Sequence, residues 1–150
     1  MSAIEIITNQ LITPLKNRGY KKNHTTWFKE NGEITIVFNL QKSQYSTDIW
    51  YYNYGIGFNQ FFDKPITSIS KCDIIYRLDK DGNETPVSTV VSVVDSWEKY
   101  FGSIDKLRIQ AMEDKIPPMI SARARTFLTS TITISEPQKT GKKTGDGSLS

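Results

Sequence analysis

The residues able to do chemistry are few and far apart. His24 is the sole histidine among 150 residues, and imidazole is the one side chain that titrates near neutrality unaided. To activate a nucleophile it would need a carboxylate to orient it and a Ser, Thr or Cys to deprotonate. Its hydroxyl neighbours are Thr25 and Thr26, and adjacent residues of a strand or turn rarely meet in that geometry, so a surface histidine is the plainer reading. Cys72 is the single cysteine, which excludes an internal disulfide and a cysteine-based zinc cluster. It alternates with Ile74 and Tyr76 and reads as a small buried hydrophobe. Asp63, Asp73 and Asp79 fall at strand ends or outward positions, with nothing to pair two of them as hydrolysis needs. The run Gly141-Lys142-Lys143-Thr144-Gly145 lacks the glycine spacing of a phosphate loop and joins no apolar strand to a helix, so it reads as solvated tail.

Two stretches suit binding rather than catalysis. The first is Asn39, Gln41, Lys42 and Ser43 at the end of an alternating segment. Amide and ammonium groups at a strand end can bind an anion or a partner's carboxylate, and Asn53 and Tyr54 on the next strand add an amide and a ring. The bland alternative is cross-strand amide bonds beside a solvated lysine. The second stretch interleaves cations and rings, from Lys16 and Arg18 through Tyr20, Lys21 and Lys22 to Trp27, Phe28 and Lys29. Such a pattern can hold single-stranded nucleic acid by stacking and phosphate contacts. Trp27 and Phe28 serve equally to anchor a hairpin, with the lysines discouraging edge-to-edge association. With 19 basic against 16 acidic residues, a net +3, the charge is too small to imply nucleic acid. Arg108, Lys115, Arg123 and Arg125 make the C-terminal half only mildly basic.

These residues must be positioned by an α+β fold. Ile4, Ile7, Leu11 and Leu15 recur at helical spacing and predict a helix over 3–17. Ser2 and Glu5 form its capping box, Pro14 bends or divides it near the end, and Gly19 stops it. Short extended segments follow at 20–24 and 26–29, then Asn31-Gly32, a strong hairpin signal. Residues 34–42 and 49–58 alternate, with Ile34, Ile36, Phe38 and Leu40 on one face of the first. In the second, Trp50, Tyr52, Tyr54, Ile56 and Phe58 oppose Tyr51, Asn53, Gly55 and Gly57. The two glycines leave a bare patch that a helix, a ligand or a second copy can approach. Phe61, Phe62 and Pro65 belong to a loop folding back on the core.

A further strand is predicted over 70–78, then a turn at 79–83. Residues 86–94 are β-branched and either add a strand or lead into a helix. Trp97, Tyr100, Phe101, Ile104 and Leu107 restore helical spacing, capped by Asp95 or Ser96, and Gly102 divides that stretch in two. After Pro117-Pro118 come a short helix over 119–128 and an edge strand over 129–134. The expected organisation is one domain over 1–135: an N-terminal helix, an antiparallel sheet of about five strands, and C-terminal helices on one face. A disordered polar tail follows over 136–150. The longest uncharged apolar-leaning run, 86–94, falls far short of the roughly 20 residues that span a bilayer. Residues 1–7 lack the basic start of a secretory signal peptide, so a cytoplasmic, non-membrane protein is expected.

The series Leu15-Lys16, Gly19-Tyr20-Lys21-Lys22, Trp27-Phe28, Gly32, then Val37-Phe38-Asn39-Leu40-Gln41-Lys42-Ser43 resembles the bacterial family called domain of unknown function 4304. Asn53-Tyr54-Gly55-Ile56, Cys72-Asp73-Ile74 with Arg77-Leu78, Trp97 and Pro117 extend the resemblance over about residues 10–120. Where the family commonly has His after the Cys, this chain has Asp73, which argues against a Cys–His role. The resemblance implies a family without an assigned activity. By analogy with other small α+β families, it implies a non-enzymatic, immunity-like inhibitor of a toxin. Nuclease inhibitors are often acidic, so a toxin with a neutral or acidic cleft fits this basic chain better. The alternatives are a small-molecule or anion sensor and, more weakly, a nucleic-acid-binding module. Neither cofactor nor metal is implied, and the expected state is a monomer or weak homodimer.

Overall fold

The computed structural model describes residues 2–45, 49–78, 82 and 85–130. Helix α1 (Ala3–Asn17) buries Ile7, Leu11 and Leu15 on one stripe. Its capping box forms: Glu5 N donates to Ser2 Oγ, and Ser2 N donates to Glu5 Oε1 at 2.7 Å. The helix runs through Pro14 without dividing. It ends at Gly19, whose φ of +90° lets Gly19 N reach Lys16 O and Tyr20 N reach Leu15 O, both at 3.0 Å. That paired closure requires a left-handed residue. Gly19→Ala is expected to lower stability by about 1 kcal/mol in urea denaturation, and an unchanged midpoint would contradict the assignment.

The sheet is a five-stranded antiparallel meander in the order β1-β2-β3-β4-β5. Its strands are β1 (Lys21–Asn23), β2 (Thr26–Asn31), β3 (Ile34–Lys42), β4 (Trp50–Phe58) and β5 (Ile74–Arg77). The β2–β3 turn lies one residue later than the Asn31-Gly32 signal suggests. Asn31 pairs with Ile34, so the turn residues are Gly32 (φ +67°) and Glu33. Glycine at the first of two turn positions is the type II′ preference.

The helical layer comprises α2 (Val87–Phe101), α3 (Ile104–Met112) and α4 (Ala122–Ser130). The β-branched run 86–94 is therefore helical, not a strand. Val90, Val94 and Trp97 are its buried stripe, and burial at helical spacing overrides β propensity. Asp95 and Ser96 lie inside α2 and cap nothing. The division falls at Gly102, where a Cβ would collide with the Glu98 carbonyl, and Ser103 caps α3 by accepting from Lys106 N. Thr129 and Ser130 end α4 instead of opening an edge strand. The rest of that stretch, the tail and nearly all of the 79–83 turn lie outside the described residues.

Helices and sheet meet on the inner face, where Tyr54 stacks on Trp97 with centroids 5.8 Å apart and Tyr54 OH donates to Val90 O. On the outer face, the segment between β4 and β5 crosses the sheet. Ile66 lies against Gly57, and Ile69 and Cys72 lie against Gly55. The glycine patch is thus filled by the chain's own loop and is not open to a ligand or a second copy. Phe61 folds back onto Phe58 as a near-parallel stack at 5.7 Å. The predicted strand over 70–78 shrinks to Ile74–Arg77 because a 3-10 turn, Ile69–Lys71, precedes it. That turn breaks the alternation. Cys72 packs on outer-face Gly55, whereas Ile74 and Tyr76 stand opposite Ile56 and Tyr54.

Candidate binding site on the outer sheet face

Strand register places Thr26, Asn39, Asn53 and Arg77 directly opposite one another across β2, β3, β4 and β5. Alternation sends all four side chains to the outer face, and they link in one direction. Arg77 Nε donates to Asn53 Oδ1 at 3.0 Å. Asn53 Nδ2 donates to Asn39 Oδ1 at 3.1 Å, and Asn39 Nδ2 donates to Thr26 Oγ1 at 2.9 Å. Gln41 Oε1 closes the row from the side, accepting from Asn53 Nδ2 at 2.9 Å and Arg77 Nη2 at 2.6 Å. Asn53 is buried, and Asn39 half-buried. Hydrogen bonds aligned head to tail polarise one another, so the row is stiffer than separate pairs.

The row opens into a cleft of about 250 Å³ lined by Gln41, Lys42, Ser43, Gln44, Tyr45, Tyr51 and Arg77. Arg77 lies over the Tyr51 ring, 4.7 Å from its centroid, and Tyr45 is 88% exposed. The described lining carries two cations and no carboxylate.

Of the residues singled out from sequence, Asn39, Gln41 and Asn53 are joined directly, and Ser43 lines the cleft. Ser43 Oγ accepts from Tyr45 N, shaping the turn beyond β3. Lys42 alternates to the inner-face side of the strand end, although it borders the cleft. Its charge reaches Glu5, whose carboxyl sits below its ordinary value, first through hydrogen bonds to Ser2 and then through Lys42. Tyr54 does not join them: it is buried on the inner face. The residues missed are Arg77, Tyr51 and Thr26. Alternation already paired Tyr51 with Asn53, but Arg77 needed the true start of β5.

The candidates for chemistry are spent elsewhere. His24 is a turn residue with φ +57°. Burial pushes the Cys72 thiol well above its ordinary range, reinforced by Asp73. Asp73 accepts from Ser121 Oγ and Arg123 Nε, each at 2.8 Å. Among the described residues, no group of three or more His, Cys, Asp or Glu is placed to hold a metal ion. In the basic–aromatic stretch, Trp27 is 1% exposed and packs on Phe38, so its ring is closed to base stacking. Lys29 is paired with Glu98 at 2.9 Å. No helix among the described residues is long and apolar enough to cross a membrane.

Fold and site together define an α+β protein whose meander carries a pre-tied polar row on its outer face. The chain belongs to the bacterial family described as Domain of unknown function (DUF4304), which it matches over residues 11–125. No curated protein and no solved structure matches it. Asn39, Gln41, Asn53 and Arg77, all within the segments that carry the family resemblance, form this one hydrogen-bonded cluster.

Proposed function

We propose that this protein is a non-enzymatic binding protein, an immunity-like inhibitor that docks on a toxin through the Arg77 cleft. The observation that carries the reading is the row from Arg77 to Thr26. It holds the exposed Arg77 cation in a fixed position, tied to the amides of Asn53 and Asn39 beneath it, before any partner arrives, which lowers the ordering cost of association. Tyr and Arg are the side chains richest in interface hot spots, and Tyr45, Tyr51 and Arg77 meet at this cleft. A small-molecule sensor is less well supported. Gln41, Lys42, Gln44, Tyr45 and Arg77 are all exposed, whereas small-ligand sites bury most of their ligand.

The test is co-expression with toxin candidates encoded beside the protein. The expected result is restored growth and a stoichiometric complex. Arg77→Ala should weaken that complex by at least about tenfold with little change in melting temperature. Absence of protection and of a complex with every candidate overturns the reading.

A further inference from the structure

We infer that Arg77 is a carboxylate receptor, and that what enters the cleft is the acidic side chain of a partner protein. This rests on the binding-protein reading and names the chemistry of its contact. Arg77 is fixed on three sides: Asn53 Oδ1 at Nε, Gln41 Oε1 at Nη2, and the Tyr51 ring beneath its plane. All three supports are neutral. Arg18, Arg108 and Arg123 each have a carboxylate within ion-pair distance, from Asp95, Asp105 and Asp73 respectively. Arg77 makes no ion pair with any described residue. Among the described residues its charge is held in place by neutral groups and met by no carboxylate.

The occupied donors also select the approach. Among the described residues Nε and one Nη2 hydrogen are committed, which leaves three N–H donors, two on Nη1 and one on Nη2, and one from each nitrogen can meet the two oxygens of a carboxylate. The amide row strengthens this. Asn53 and Asn39 both turn their oxygens toward the Arg77 side and their N–H groups away, so their dipoles stabilise the cation they position. No helix N-terminus stands among the described lining residues, which disfavours a phosphate with its third oxygen and greater charge. The exposed Tyr45 and half-buried Tyr51 rings frame the entry as a protein surface would need.

The experiment is a side-chain NMR titration of the full chain at constant ionic strength. The probes are sodium acetate, glutamate blocked at both ends, blocked glutamine and inorganic phosphate. The Arg77 Nε–H and Gln41 amide signals are expected to shift saturably with acetate and blocked glutamate but not with blocked glutamine. Arg77→Lys, which keeps the charge and loses the fork, should abolish the Gln41 amide shift while leaving the melting temperature near that of the parent. No saturable shift, an equal Gln41 amide shift in Arg77→Lys, or phosphate binding at least about tenfold more tightly than acetate each overturns the inference. The titration contains no partner. Its failure would remove the carboxylate site and leave the binding-protein reading to the co-expression test.

Discussion

Above pH 10 the protein is expected to lose stability steeply, by roughly 5 kcal/mol at pH 11 relative to neutrality. The cause is burial of groups that ionise at high pH. Tyr20 is pushed far above its ordinary 10.0, first by burial and then by the neighbouring Glu98 carboxylate, to which its hydroxyl donates at 3.1 Å. Tyr54 is pushed up likewise by burial, between the sheet and α2. Burial also raises the Cys72 thiol above its ordinary 9.0. In each case the folded state keeps a proton that the unfolded chain releases, so stability falls as pH rises past the unfolded value. The decline begins near pH 9 with Cys72 and steepens above pH 10 with the tyrosines, by about 1.4 kcal/mol per pH unit for each group. That is comparable with the whole stability of an ordinary domain, on the order of 5–15 kcal/mol. Urea unfolding between about pH 8 and 11, with phenolate absorbance recorded alongside, measures it. Tyr54→Phe should cost about 1 kcal/mol at neutral pH, through the lost bond to Val90 O, and make the alkaline limb shallower by one group. Phenolate absorbance that is already complete before the chain unfolds, with no further rise on unfolding, would contradict the assignment.

The parts of this fold legible in the sequence are those where burial and backbone period agree. In β3 and β4 every second residue faces the helices, so Ile34 to Leu40 and Trp50 to Phe58 declare both strand and inner face. The same alternation places Asn39, Gln41 and Asn53 together on the other face. What it cannot supply is the cross-strand partner. That Asn53 stands opposite Asn39 depends on turn length, and that Arg77 completes the row depends on where β5 begins. The 3-10 turn at Ile69–Lys71 fixes that start, and Ser-Lys-Cys carries no signal strong enough to announce it. Residues 86–94 fail for a different reason. Their valines prefer strands when considered singly, but Val90, Val94 and Trp97 at spacings of four and three bury one helical stripe against the sheet. The loop over Gly55 and Gly57 was foreshadowed by its aromatics. Its actual plugs, Ile66, Ile69 and Cys72, are too ordinary to identify without the fold.

Asp73→Ala is expected to destabilise the protein by about 3 kcal/mol, although its own alternating position suggested an outward, dispensable carboxylate. The side chain is 2% exposed and paired with an Arg123 that is half exposed. One carboxylate oxygen accepts from Ser121 Oγ and Arg123 Nε, while the other faces Phe58 N at 3.4 Å. The backbone of the same residue donates to Ile56 O and accepts from Ser121 N at 2.7 Å. Asp73 thus fastens three pieces at once: the end of β4, the start of β5 and the segment leading into α4. That segment covers the outer edge of β5, since Ile75 N donates to Met119 O and Ile74 bridges Ile120. Truncation leaves the Ser121 hydroxyl and the Phe58 amide without this acceptor, whereas Arg123 can turn to water. The cost should therefore lie at the low end for a broken buried pair. Asp73→Asn retains one acceptor oxygen and should cost roughly half as much. Hydrogen exchange separates this local account from general weakening. Protection at Ile75 and Ser121 should fall more than protection at Phe38 or Tyr52 in the sheet centre. A uniform loss across the sheet, or a change below about 1 kcal/mol, would show that the edge is held by packing alone. Because Arg77 lies on the same four-residue strand, loosening β5 at Asp73 should also broaden the Arg77 Nε–H signal, linking a residue remote from the cleft to the stiffness of the cation in it.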